Sequence, residues 1–152
     1  LEIGSGVGNL PLLFAKKYSI PHIILNTKNS LFEKKILIQF KKKKINLICL
    51  AGYMKILSKS FINNFNGNII NIHPSLLPKY KGVNTFKRIL KNREKVTGCT
   101  VHFVNDKLDS GKIILNKTFK INYQDNEAAL KRKTQLCEYR AYSQAIVKLF
   151  MY

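Results

Sequence analysis

Residues 46–50, NLICL, constrain the fold more tightly than any other stretch. From Leu47 to Leu50 the run is unbroken and apolar, it has strand length, and it ends at Ala51-Gly52. Such a strand has no polar face to turn toward water. It belongs inside a sheet covered on both sides, and sheets of that kind are built largely from parallel strands. The preceding segment supplies a cover. Residues 31–43 set Leu31, Phe32, Ile36, Leu37 and Phe40 near helical spacing, with lysines on the other face. Earlier still, residues 10–18 read as a short helix with Pro11 in its first turn. Residues 22–25 read as a short buried strand. Ser58 is placed to cap a helix over residues 59–65, and Asn66-Gly67 then turns the chain. Apolar strands alternating with amphipathic helices predict an α/β protein, a Rossmann-like and mostly parallel sheet with helices on both faces.

The next segment, residues 68–82 (NIINIHPSLLPKYKG), carries chemistry. A β-rich run over residues 69–72 delivers Asn71 and His73 to a strand end, and Pro74 stops the strand. Strand alternation sends Asn71 and His73 to one side. A histidine at a strand end is as often structural as catalytic, so these two residues alone leave the question open. Residues 83–92 read as a helix. Residues 97–104 (TGCTVHFV) alternate as a strand, with Cys99, Val101 and Phe103 on one side and Thr100, His102 and Val104 on the other. After a turn over residues 105–111, a strand over 112–120 completes a hairpin-like unit. Two helices, over 126–139 and 142–149, finish the chain.

The chain has 152 residues, enough for one domain with a substantial core. It contains no apolar run of about 18 residues, so no membrane span is expected. Cys49, Cys99 and Cys137 are far apart and odd in number, which argues against a disulfide framework or a zinc knuckle and fits a reducing, cytoplasmic setting. The net charge of +19 comes mostly from lysine. Basic runs such as residues 41–44 carry no interleaved aromatics, so the excess reads as a solvated surface that can steer a small anion; a nucleic-acid-binding domain is the sharper alternative. The opening residues offer another alternative. Glu2, Gly4, Gly6 and Gly8 spell E-x-G-x-G-x-G, which looks like the first motif of methyltransferases that use S-adenosylmethionine. A ribose-binding acid at the end of the next strand would complete it, but Asn26-Thr27-Lys28 stands there.

Two segments together resemble the formyltetrahydrofolate-dependent formyltransferases. One is LAGYMKILS (residues 50–58) running on to NIHPSLLPKYKG (71–82), and the other is GCTVHFVNDKLDSG (98–111). The latter is similar to that family's G-x-T-V-x-F-V-x-D-x-L-D-x-G signature. The resemblance extends from about residue 14 to residue 152. It implies the formyltransferase fold and transfer of a formyl group from 10-formyltetrahydrofolate to the amine of glycinamide ribonucleotide in purine biosynthesis. No metal, membrane or specific nucleic acid is implied. By position, Asn71, His73 and Asp109 would be catalytic. Met54, Lys55, Ile56, Leu57, Asn71, Asn105, Asp106, Lys107, Leu108 and Asp109 would line the folate site. Gln135 and Glu138 would face the ribonucleotide, with Glu138 holding its amine. Family members normally open with a strand and an S-G-x-G-S-N-L phosphate loop, whereas residues 5–10 here read SGVGNL. The following FAKKYSIPHIIL resembles the family's second helix and third strand. The chain is therefore read as N-terminally incomplete, lacking the first strand, phosphate loop and first helix, or else as carrying an internal deletion. Asn84 stands where the family often has histidine.

Overall fold

A computed structural model describes residues 2–4, 10–24, 31–53 and 55–151. The chain forms two compact units, Leu1–Lys44 and Ile45–Tyr152. In the first, β1 (Glu2–Gly4) pairs in parallel with β2 (His22–Ile24), and α1 (Leu10–Lys17) lies between them in sequence. The unit ends in α2 (Phe32–Lys42), which buries Ile36 and Phe40, one helical turn apart, as the apolar spacing predicts.

The second unit is built on a four-stranded sheet of order β3-β4-β5-β6. Its strands are β3 (Leu47–Leu50), β4 (Asn68–His73), β5 (Val96–Phe103) and β6 (Ile113–Lys120). The α/β architecture is as expected, and within this sheet the pairing is mixed. β3 and β4 run parallel, joined by α3 (Lys59–Asn64), while β5 and β6 are antiparallel to their neighbours. Ser58 caps α3, its hydroxyl accepting from the Phe61 N–H at 3.0 Å. α4 (Thr85–Lys91) precedes β5.

Residues 126–139 and 142–149, expected as separate helices, form one helix, α5 (Glu127–Phe150). Arg140 and Ala141 between them are good helix formers, and no glycine or proline interrupts the run. The apolar face also continues through the join, because Ala141 and Ala145 are both fully buried. These alanines let α5 pack closely on Ile70, Ile72, Cys99 and Val101 of the sheet. Each large aliphatic side chain so buried contributes roughly 1.5–3 kcal/mol.

This packing decides where the polar residues go. Side chains alternate along a strand, so turning Ile70, Ile72, Cys99 and Val101 toward α5 turns Asn71, His73, Thr100 and His102 to the opposite face. The β4–β5 register pairs Asn71 with His102 and His73 with Thr100. A register irregularity between Val101 and His102, where β5 meets β6, sits beside this cluster. Such bulges re-aim side chains and are common next to active sites.

Candidate active site

His73, at the end of β4, is 5% exposed. Its Nε2 lies 2.9 Å from the backbone carbonyl oxygen of Tyr80. A carbonyl can only accept, so Nε2 carries the hydrogen. The other ring nitrogen, Nδ1, faces Asp109 Oδ2 at 3.3 Å. The turn after β4 holds this arrangement in place. Thr100 is buried and uses one hydroxyl twice, donating to the Ser75 carbonyl at 2.7 Å and accepting from the Leu77 N–H at 3.0 Å. Ser75, also buried, donates to the Lys79 carbonyl at 2.7 Å.

Asp109 comes from the loop between β5 and β6. That loop is closed at its base by the Phe103 N–H donating to the Lys112 carbonyl at 2.9 Å. Gly111 is needed there, because a Cβ would run into the carbonyl oxygen of Phe103. Asp109 itself sits in the left-handed region at φ 46°, a costly conformation for a residue other than glycine. In return its carboxylate is buried and aimed inward. Oδ2 accepts from the Gly82 N–H at 2.8 Å, and Gly82 presents that N–H from φ 76°.

His102 is 2% exposed and joins the same cluster. Its Nδ1 donates to the Phe103 carbonyl at 2.8 Å, which leaves Nε2 as an acceptor. The Asn71 amide donates weakly to that atom at 3.5 Å. Burial holds the His102 imidazole below the usual histidine range, against the opposing pull of the Phe103 carbonyl and Asp109. The ring is thus a neutral acceptor that orients the Asn71 amide, whose second N–H has no partner among the described residues. Alternation and the β4–β5 register place His102 on this face, but it falls at an unspecified position of the 98–111 signature, which signals no role for it.

The candidate folate residues fall into two groups. Leu57 is buried and Ile56 is 75% exposed, in the segment between β3 and α3, with Lys55 beside them. Met54 lies outside the described residues. Asn105, Asp106, Lys107 and Leu108 belong to the loop that carries Asp109, and the Asn105 side chain accepts from the Lys107 N–H at 3.0 Å. Lys59, at the start of α3, lies 3.8 Å from Asp106, which brings the two groups near each other. Both partners are exposed, so the contact marks proximity and adds little stability. Gln135 and Glu138 lie on α5, and among the described residues neither shares a hydrogen bond or ion pair with the trio. Burial pushes the Glu138 carboxyl up to about 7. A groove of about 410 Å³ near the C-terminal end of α5, lined by Ser143, Gln144, Val147, Lys148 and Met151, includes none of these residues.

The trio therefore combines the Asn71 amide, which among the described residues engages only His102, with a buried imidazole–carboxylate pair. That is equipment for stabilising an oxyanion and moving a proton. Among the described residues no group of His, Cys, Asp or Glu is arranged to hold a metal ion, and no helix is long and apolar enough to cross a membrane.

The chain is 44% identical over 106 residues to phosphoribosylglycinamide formyltransferase of Haemophilus influenzae, covering 70% of this chain and 50% of that protein. It is 36% identical to the trifunctional purine biosynthetic protein adenosine-3 of Drosophila melanogaster, over 98% of this chain but 11% of that protein. The chain thus spans only a small part of its trifunctional relatives. Among solved structures, phosphoribosylglycinamide formyltransferase from Bacillus halodurans superposes with a TM-score of 0.90 at 32% identity, covering 97% of this chain and 78% of that one. The Brucella melitensis protein of the same name gives 0.90 at 33% identity, with coverage of 97% and 78%. These relatives favour neither the methyltransferase reading of residues 2–8, which falls partly outside the described residues, nor the nucleic-acid reading. The formyl transferase profile matches residues 9–146, and the chain belongs to the formyl transferase family.

Proposed function

We propose that this chain, as a single cytoplasmic formyltransferase domain, transfers a formyl group from 10-formyltetrahydrofolate to the amine of glycinamide ribonucleotide. The observation that carries the reading is the His73–Asp109 pair. With Nε2 committed to the Tyr80 carbonyl, a neutral His73 would turn a lone pair on Nδ1 toward a carboxylate oxygen 3.3 Å away. A proton held between them removes that conflict. The pair is thus placed to pass a proton where an amine must lose one and a leaving nitrogen must gain one.

10-Formyltetrahydrofolate supplies a formyl carbon on a nitrogen that can leave. Asn71 donates its second N–H to the oxygen that becomes negative when the amine attacks. A preorganised donor of this kind contributes about 3 kcal/mol to lowering the barrier. His73 and Asp109 accept the proton from the attacking amine and return one to the departing nitrogen. Ile56 and Leu108, both largely exposed, supply apolar surface of the kind a flat heterocycle covers. Glu138, on α5, offers a carboxylate for the amine of the ribonucleotide.

The test is formyl transfer by the purified chain. His73→Ala and Asp109→Ala should each lower the rate by roughly 10²–10⁴-fold. Rates equal to wild type in both would remove these roles. Folate binding without turnover in the wild-type chain would remove the catalytic half of the proposal.

A further inference from the structure

Away from the trio, on the α5 side of the sheet, two thiols face each other. Cys99 of β5 and Cys137 of α5 bring their sulfurs to 3.5 Å, with the Cys99 S–H donating to Cys137. The Cys137 thiol also points toward the Lys117 carbonyl at 3.6 Å. Cys99 is fully buried, while Cys137 is partly open to solvent. The third cysteine, Cys49 on β3, is exposed and forms no such pair. Nothing in the formyl-transfer reading uses either member of the pair.

We propose that Cys99 and Cys137 are an oxidation site, at which a hydroperoxide closes a disulfide between β5 and α5. Sulfurs already in van der Waals contact need to approach by only about 1.5 Å to reach the bonded distance of about 2.05 Å, a movement within reach of side-chain rotation. The asymmetry in exposure sets the order of events. Burial pushes the Cys99 thiol up, so it is a poor first nucleophile. Cys137, the more exposed residue of the pair, is the one a peroxide meets first. Its thiolate attacks the peroxide, an S–O bond forms and the O–O bond breaks, and the departing oxygen leaves protonated as water or an alcohol. The Cys99 sulfur then attacks the Cys137 sulfur. An S–S bond forms, the S–O bond breaks, and the hydroxide leaves as water with the Cys99 proton. In total, the peroxide is reduced and two thiols are oxidised to one disulfide.

The bond would tie two functional regions together. Cys99 immediately precedes Thr100, which holds the turn after His73, and Cys137 immediately precedes Glu138. Formation of the bond does not depend on which reaction the chain catalyses.

The test treats the reduced full chain with hydrogen peroxide, alkylates the remaining thiols under denaturing conditions and maps the peptides by mass. The expected product lacks two hydrogens, carries alkyl only on Cys49, contains a linked Cys99–Cys137 peptide pair, and returns to three alkylatable thiols after dithiothreitol. Cys49→Ser should form the same link, and Cys137→Ser should not. Mapping of the wild-type chain needs no variant, so the outcome stands even if Cys137→Ser folds poorly. Full alkylation of Cys99 and Cys137 after peroxide, oxidation confined to Cys49, or a link that includes Cys49 would each overturn the proposal.

Discussion

His73 donates from Nε2 to the backbone carbonyl of Tyr80, and this one bond fixes the role of the other ring nitrogen. Because Nε2 keeps its hydrogen, any proton that His73 exchanges passes through Nδ1, beside Asp109. The two side chains should therefore act as a unit. Asp109→Asn keeps the shape but removes the second proton-holding group, and should slow formyl transfer by roughly 10²–10³-fold. The double variant with His73→Ala should be little worse than the poorer single variant, since residues acting as a unit are far from additive. Rate losses that multiply in the double variant would show that the two residues act independently.

The Tyr80 carbonyl is itself held in place. Tyr80 adopts φ 59°, and its hydroxyl donates to Glu94 at 2.7 Å while accepting from the Asn92 amide at 2.9 Å. Arg88 lies over the ring at 5.4 Å from its centre. Hydrogen bonds to Tyr80, then to Lys79, hold the Glu94 carboxyl below its usual range. Tyr80→Phe removes the hydroxyl from this network and leaves the backbone carbonyl. It should lower kcat a few-fold, change KM little and cost about 1 kcal/mol of stability. A KM effect with unchanged kcat would instead connect the ring to substrate binding.

Much of this site can be read from the chain because strand alternation is strict. The grouping of Asn71 with His73, and of Thr100 with His102, follows from alternation within each strand, whereas the β4–β5 register brings the two pairs onto one face. The cap at Ser58 follows equally from local chemistry. Contacts that depend on backbone conformation in turns are hidden. The carbonyl that binds His73 is presented by a tyrosine at positive φ, and no pattern in KYKG announces it. The contribution of His102 rests on its tautomer, which is fixed by a neighbouring carbonyl. The continuity of α5 is masked because Tyr139 and Tyr142 fall into separate apolar clusters, whereas the small Ala141 between them is fully buried.

Thr100 offers a direct measure of what holds the turn after β4. Thr100→Val keeps the shape but strands the Ser75 carbonyl and the Leu77 N–H, both of which rely on the same hydroxyl. Each buried polar group left unpaired costs about 1–3 kcal/mol, so a loss of about 2–4 kcal/mol is expected in urea unfolding. A change below about 0.5 kcal/mol would mean that the turn finds other partners.

Glu138 links stability to the proposed substrate contact through pH. Burial raises its carboxyl from the ordinary 4.5 to about 7. Between those values the folded chain binds more protons at this site than the unfolded chain does. The contribution is therefore fully present below the unfolded value and is lost as pH rises to about 7. Glu138→Gln removes the ionisation. Allowing for partial solvent screening, it should be more stable than wild type by on the order of 1 kcal/mol at about pH 8 and by much less at about pH 4, as read from denaturant midpoints. The same substitution removes the carboxylate proposed to hold the ribonucleotide amine, so KM for that substrate should rise about tenfold or more while stability improves. Equal stability differences at both pH values would show that Glu138 is solvated in the folded chain. An unchanged KM would remove it from the substrate site.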